Sequence, residues 1–162
     1  MHTRTKVCKI LFIGSSSTGK TSIIRRYVKK TFTPSYRFIF TDSYNACFPL
    51  KKVIFFRATI GADFLAKIVK WNENLTLRLQ LWDIAGQDRF SLLSRSFYQD
   101  AAGAFIVSDL SRAETLDAVI SWKEELDNKV RMADGSKLPC FLLANKVHTF
   151  FKKLFCLLSQ FL

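Results

Sequence analysis

Apolar residues fall into short runs divided by polar turns, a spacing that predicts strands and helices in alternation. Val7 to Ile13 (VCKILFI) is almost wholly apolar, as expected of a strand buried on both faces. Gly14 closes that run, and a Ser/Thr/Gly turn leads into a helical stretch from Lys20 to about Thr31. Leu75 to Trp82 (LTLRLQLW) alternates apolar with polar, the pattern of a strand with one drier face. Ala104 to Val107 and Leu138 to Ala144 are two more runs of strand length. Between them, Glu114 to Arg131 carries Leu116, Val119, Ile120, Trp122, Leu126 and Val130 close to helical spacing. Ser111 followed by Glu114 fits a capping box at the start of that helix. Alternation of this kind implies right-handed βαβ crossovers and a mainly parallel sheet.

Composition narrows the class. The 162 residues suffice for one domain, and a hydrophobic content of 49% excludes a disordered chain. No apolar run approaches the length of a membrane-spanning helix, and Met1 to Lys6 does not open a signal peptide. Cys8, Cys47, Cys140 and Cys156 lack metal-ligand spacing and read as reduced thiols of a cytosolic protein. The net charge of +12 brings nucleic acid or a membrane surface into view. That charge is unevenly placed. Residues 1–57 hold 12 Lys/Arg against Asp42 alone, whereas 58–162 hold 13 against 12 acids. Phenylalanine is skewed too, with five of 16 in 38–57 and four in 147–162, so these two segments stand apart from the rest.

Three motifs carry chemistry. Gly14 to Thr21 (GSSSTGKT) matches GxxxxGK[ST] between an expected strand and an expected helix. Glycines let such a loop curl so that backbone N–H groups face a phosphate, and the helix N-terminus adds partial positive charge. Lys20 can reach β- and γ-phosphates, and the Thr21 hydroxyl can ligate Mg²⁺. Asp83-Ile-Ala-Gly86-Gln87 follows the alternating strand. Asp83 suits a Mg²⁺ held through water, the Gly86 N–H can approach a terminal phosphate, and Gln87 can orient an attacking water. Asn145-Lys146 leaves a third strand, at the carboxyl edge where ligands of open α/β sheets sit, and can hold a purine ring.

These motifs, in this order, resemble the Ras-like small GTPases. Thr59 to Phe64 (TIGADF), Leu79 to Phe90 (LQLWDIAGQDRF) and Ala102 to Ser111 (AGAFIVSDLS) resemble the Rab branch. Ile84 and Trp71 are similar to the Rab members that serve lysosome-related organelles. The resemblance covers 1–37 and 58–147. It implies an α/β P-loop NTPase fold, with a mainly parallel sheet and helices on both faces. It also implies a switch in vesicle traffic that binds GTP or GDP with Mg²⁺ and hydrolyses GTP, Gln87 being the catalytic residue. Ser16, Ser17, Thr18, Gly19, Lys20, Thr21, Ser22, Gly86, Asn145 and Lys146 are the implied nucleotide contacts. By position, Thr59 resembles the switch threonine that senses the γ-phosphate, so Thr21, Thr59 and Asp83 are the implied metal ligands. Phe32 resembles the aromatic that packs on guanine, and Tyr36 the tyrosine that closes over the phosphates. Implied partners are exchange factors, GTPase-activating proteins and effectors. The implied location is the cytoplasm or the cytoplasmic face of endomembranes.

Three features depart from the family. Residues 38–57 (FIFTDSYNACFPLKKVIFFR) interrupt a domain expected over 1–147, inside its first switch. Lengthening the Phe32-to-Thr59 connection by those 20 residues adds only roughly 1.2 kcal/mol of loop-closure cost, but Val53 to Phe56 would be sticky if exposed. His148 replaces the acid that accepts two hydrogen bonds from guanine, leaving donors unpaired at about 1–3 kcal/mol each if buried. Residues 148–162 match nothing in the family. A final strand and helix are expected to be missing, and the terminal Ser-Gln-Phe-Leu has no prenylation signal. Phe150, Phe151, Leu154, Phe155, Leu157, Leu158, Phe161 and Leu162 recur there at helical spacing, an amphipathic tail that either packs in the lost helix's place or lies on a membrane. Richness in Phe, Ile, Lys, Asn and Tyr suggests an intronic or variant-transcript origin for both segments.

Two other readings stay open at this level. One is a catalytically impaired or misfolded variant that at most sequesters regulators or effectors. The other is a basic surface formed by Arg25, Arg26, Lys29 and Lys30 that binds anionic lipid or nucleic acid. Four such residues on one helix are more often a solvated face, so no nucleic-acid partner is expected.

Overall fold

Eight elements follow in chain order: β1 (Arg4–Ile13), α1 (Lys20–Lys29), β2 (Ala62–Lys70), β3 (Leu75–Ile84), α2 (Ser94–Tyr98), β4 (Ala101–Asp109), α3 (Ala113–Lys129) and β5 (Cys140–Asn145). This computed structural model describes residues 4–32, 59, 61–86 and 94–151. The sheet has five strands in the order β2-β3-β1-β4-β5. Pairings β1–β3, β1–β4 and β4–β5 are parallel, and β2–β3 is an antiparallel hairpin.

The apolar run of β1 makes it the central strand. Leu11 and Ile13 face one layer with Tyr98 of α2 and Trp122 and Leu126 of α3. Phe12 faces the other layer with Ile24 of α1, Leu81 and Val107. Alternate residues of one strand thus enter two cores, which places helices on both faces as expected for a doubly covered sheet.

The structure extends and corrects the pattern at several points. Strand β1 begins at Arg4, before its apolar run, because Arg4 pairs in register with Leu75. The hydrophobic pattern leaves β2 unmarked: Phe64 and Ile68 are exposed on a strand whose open face is not polar. No capping box forms. The N-cap of α3 is Arg112, which has no side-chain cap, and the Ser111 hydroxyl donates to Asp109 Oδ1 instead. At the far edge, Phe141 and Leu142 of β5 are exposed, and among the described residues no further strand pairs with β5. A helical turn at 147–151 follows it. Residues 38–57, expected as an insertion, and the expected tail from 152 lie outside the described residues. No described helix is long and apolar enough to cross a membrane. Cys8 and Cys140 are free thiols, while Cys47 and Cys156 lie outside the described residues.

Candidate functional site

Parallel register brings three strand ends together. Phe12 of β1 pairs with Asp83 of β3, Ile13 with Ile106 of β4, and Asp109 of β4 with Asn145 of β5. The loop from Gly14 to Gly19 leaves β1 at that edge and enters α1 at Lys20. Gly14 has φ 131, and a Cβ there would meet the Val107 carbonyl at 2.3 Å. Ser17 (φ 61) and Gly19 (φ 101) add left-handed turns, the kind of curl that forms an anion nest. Gly86 closes the other side, where a Cβ would lie 2.4 Å from Ser16 N and 2.6 Å from Ser15 C. Both obstacles are backbone, so Gly86→Ala must displace the loop. We expect that substitution to destabilise the chain by roughly 1–3 kcal/mol, as read by denaturant unfolding.

Lys20 folds back over the loop. Its ammonium is buried and donates to Gly14 O at 2.8 Å and Ser15 O at 2.9 Å. Burial pushes its pKa down to about 8, against the opposing pull of Asp83. Thr18 Oγ1 donates to Ser15 O at 3.0 Å, and Ser22 follows half-buried on the first turn of α1.

An oxygen cluster lies next to the lysine. Thr21 Oγ1 donates to Asp83 Oδ2 at 2.5 Å, and Thr59 Oγ1 lies 3.2 Å from Thr21 Oγ1 and 3.3 Å from Asp83 Oδ2. Burial raises the Asp83 pKa, and the Thr21 hydrogen bond and Lys20 oppose it. Asp83 Oδ1 is buried with no partner among the described residues. A buried carboxylate with an orphaned oxygen beside two hydroxyls is a hard, oxygen-only donor set. It fits Mg²⁺, which takes few protein ligands and keeps positions for water and phosphate. No described group of three or more His, Cys, Asp or Glu forms an alternative metal site.

The far side of the loop is held from β4 and β5. Asn145 Nδ2 donates to Thr18 O, Lys146 Nζ to Ser17 O, and Arg112 Nη2 to Ser16 O, each at 2.8 Å. Asp109, fully buried, meets both cations through Oδ2: Arg112 Nε at 3.1 Å and Lys146 Nζ at 2.7 Å. Its Oδ1 accepts from Ser111 N at 3.0 Å and Oγ at 2.6 Å. Burial alone would raise its pKa, but the hydrogen bonds from Lys146 and Ser111 outweigh it and hold the carboxyl near 2. A depressed carboxylate contributes stability above its ordinary pKa of 3.8 and loses it as pH falls toward 2. That contribution is roughly 2 kcal/mol. Denaturant unfolding should show the native chain's advantage over Asp109→Asn at pH 6 disappearing by about pH 2.

Most sequence-derived site residues converge here: the loop 16–22, Thr59, Asp83, Gly86, Asn145 and Lys146. Asn145 and Lys146 brace the loop from outside in this geometry. Phe32 lies just past the end of α1, 60% exposed. Tyr36 and Gln87 lie outside the described residues. His148 is exposed on the turn after β5. The residues without an assigned role in the sequence reading are Asp109 and Arg112, whose signal was an acid at the carboxyl end of an apolar strand.

Residues 53–153 match the family described as the Ras family, more than half the chain. The chain belongs to the Ras family. Among curated Ras-family proteins, Ras-related protein Rab-32 of Mus musculus is 46% identical over 145 residues, which is 90% of this chain and 56% of that protein. Ras-related protein Rab-7L1 of Homo sapiens is 36% identical over 146 residues, 90% of this chain and 62% of the relative. Ras-related protein Rab-32A of Dictyostelium discoideum is 42% identical over 139 residues, 85% and 54% respectively. The chain spans a little over half the length of these Rab relatives. The resemblance read from the motifs holds.

Proposed function

We propose that the chain is a Rab-like small GTPase, with one nucleotide-binding domain over 1–147, that binds GTP and GDP with Mg²⁺ and hydrolyses GTP as a switch in vesicle traffic. The observation that supports this best is the meeting of Lys20, Thr21, Thr59 and Asp83 at the mouth of a curled loop. Loop N–H groups would bind the phosphates, and Lys20 would exchange its two loop carbonyls for phosphate oxygens. Thr21, Thr59 and Asp83 would hold Mg²⁺, which when bound neutralises charge between the β- and γ-phosphates. Gln87 would orient the attacking water. Turnover would be slow without a partner arginine. Exchange factors, activating proteins and effectors are the partners of this reading, and the cytoplasmic face of endomembranes is its location.

A second reading rests on His148, which offers no carboxylate where guanine needs two acceptors. It is a variant that binds phosphates with weak base choice and at most competes for Rab regulators. Binding of labelled GTP, GDP and ATP to the purified chain, with and without Mg²⁺, separates the two. Magnesium-dependent GTP binding with slow hydrolysis supports the switch, and equal binding of GTP and ATP supports the variant. Absence of all nucleotide binding would sink both. On the first reading, Asp83→Asn removes the only charge of the oxygen cluster. It should abolish most of the Mg²⁺ dependence of affinity, about tenfold or more, while Mg²⁺-free binding changes little.

A further inference from the structure

Behind the loop stands a set of side chains, of which Asp109 and Arg112 have no part in the proposed hydrolysis. The carbonyls of Ser16, Ser17 and Thr18 each accept one donor, from Arg112, Lys146 and Asn145 in turn. A carbonyl and the following N–H belong to one peptide unit, so these donors sit behind the N–H groups of Ser17, Thr18 and Gly19. A hydrogen bond to the oxygen of an amide polarises the unit and strengthens its N–H as a donor. Two of the three donors are cations, which polarise more than a neutral amide does.

Those cations need holding. Arg112 and Lys146 reach neighbouring carbonyls and would repel each other if left alone. Asp109 Oδ2 meets both, at 3.1 and 2.7 Å, while Oδ1 is fastened by Ser111. Buried at the end of β4, this carboxylate has little freedom to turn.

We propose that Asp109 and Arg112 are positioning residues that act through the loop's outward carbonyls: Asp109 orients Arg112 and Lys146, and Arg112 strengthens the Ser17 N–H as a polyphosphate donor. The inference rests on the nucleotide reading of the loop. It goes beyond that reading by assigning part of the grip on phosphate to residues that touch no nucleotide.

The test uses the full chain loaded with labelled GDP and Mg²⁺. Arg112→Ala, at a partly exposed position that should fold normally, is expected to release GDP roughly 5- to 20-fold faster, the loss of about one charged hydrogen bond transmitted through a peptide unit. Arg112→Lys should recover part of that loss. Asp109→Asn should release GDP faster still, and adding Arg112→Ala to it should cost less than the two effects combined, because they act through one latch. In the nucleotide-free chain, the amide proton of Ser17 should shift upfield in Arg112→Ala, with Gly19 little changed. A purely structural role would lower the melting temperature of Arg112→Ala yet leave GDP release and the Ser17 amide at native values, and that result overturns the proposal. If Asp109→Asn fails to fold, Arg112→Ala and Arg112→Lys still decide it. If the unmodified chain binds no nucleotide, the functional reading itself falls and the latch with it. If the unmodified chain binds and Arg112→Ala matches it, only the latch falls.

Discussion

Replacing Lys20 with methionine should make the nucleotide-free chain more stable while removing most of its nucleotide affinity. The two effects share one cause. Lys20 carries its charge inside the loop, and burial lowers its pKa from the ordinary 10.5 to about 8. A lysine depressed in the folded state is a liability wherever the unfolded chain is protonated. The full penalty, at most roughly 3 kcal/mol, applies below pH 8. It shrinks as pH rises from 8 to 10.5, because the folded chain gives up the proton first. Methionine keeps the apolar stem and loses donors to Gly14 O and Ser15 O, which leaves a net gain of about 1–2 kcal/mol at pH 7. Denaturant unfolding should therefore find Lys20→Met the more stable protein at pH 7, with the gap closing above pH 10. Charged hydrogen bonds to phosphate at about 1.5–3 kcal/mol each imply a loss in GDP affinity of roughly 100- to 10,000-fold. A variant less stable than the native chain at pH 7 would refute the argument from burial.

The second large effect concerns base choice. His148→Asp should raise affinity for GDP roughly 10- to 1,000-fold and leave affinity for ADP nearly unchanged. A carboxylate at 148 can accept from both N1–H and the N2 amino group of guanine, whereas neutral imidazole has one acceptor and imidazolium none. Each restored bond is worth about 1–3 kcal/mol once the base is bound. Adenine presents an acceptor at N1, so the same carboxylate gains it nothing. The position is exposed on a surface turn, so the substitution should leave folding intact. Competition between GDP and ADP in the two proteins reads the change in ratio directly. An unchanged ratio would show that 148 does not face the base.

How much of this was legible in the chain depended on the range of the signal. Strands β1 and β3 and helix α3 announce themselves because their burial repeats over several turns or pleats. The loop from Gly14 to Thr21 is legible because its motif sits in eight successive residues. Strand β2 was not, since Phe64 and Ile68 break the alternation on its open face. The capping box failed for a local reason: Asp109 captures the Ser111 hydroxyl before it can reach the helix. The Asp109 latch joins residues from β4, the α3 entry and the end of β5, and only the β4–β5 register reveals that 109 and 145 are partners. Candidate ligands at 21, 59 and 83 were each recognisable, but their convergence is a property of the folded sheet.

That convergence is set by the β2–β3 hairpin. Its ladder runs in unbroken register from Ala62 opposite Ile84 to Lys70 opposite Thr76, and Ala85 N donates to Gly61 O at 2.9 Å just beyond it. Thr59 is therefore delivered to Asp83 from the hairpin side, by a ruler only a few residues long. The alignment of Thr59 with Asp83 is thus written into the pairing of β2 with β3, and a one-residue slip of that hairpin would part the Thr59 hydroxyl from the carboxylate.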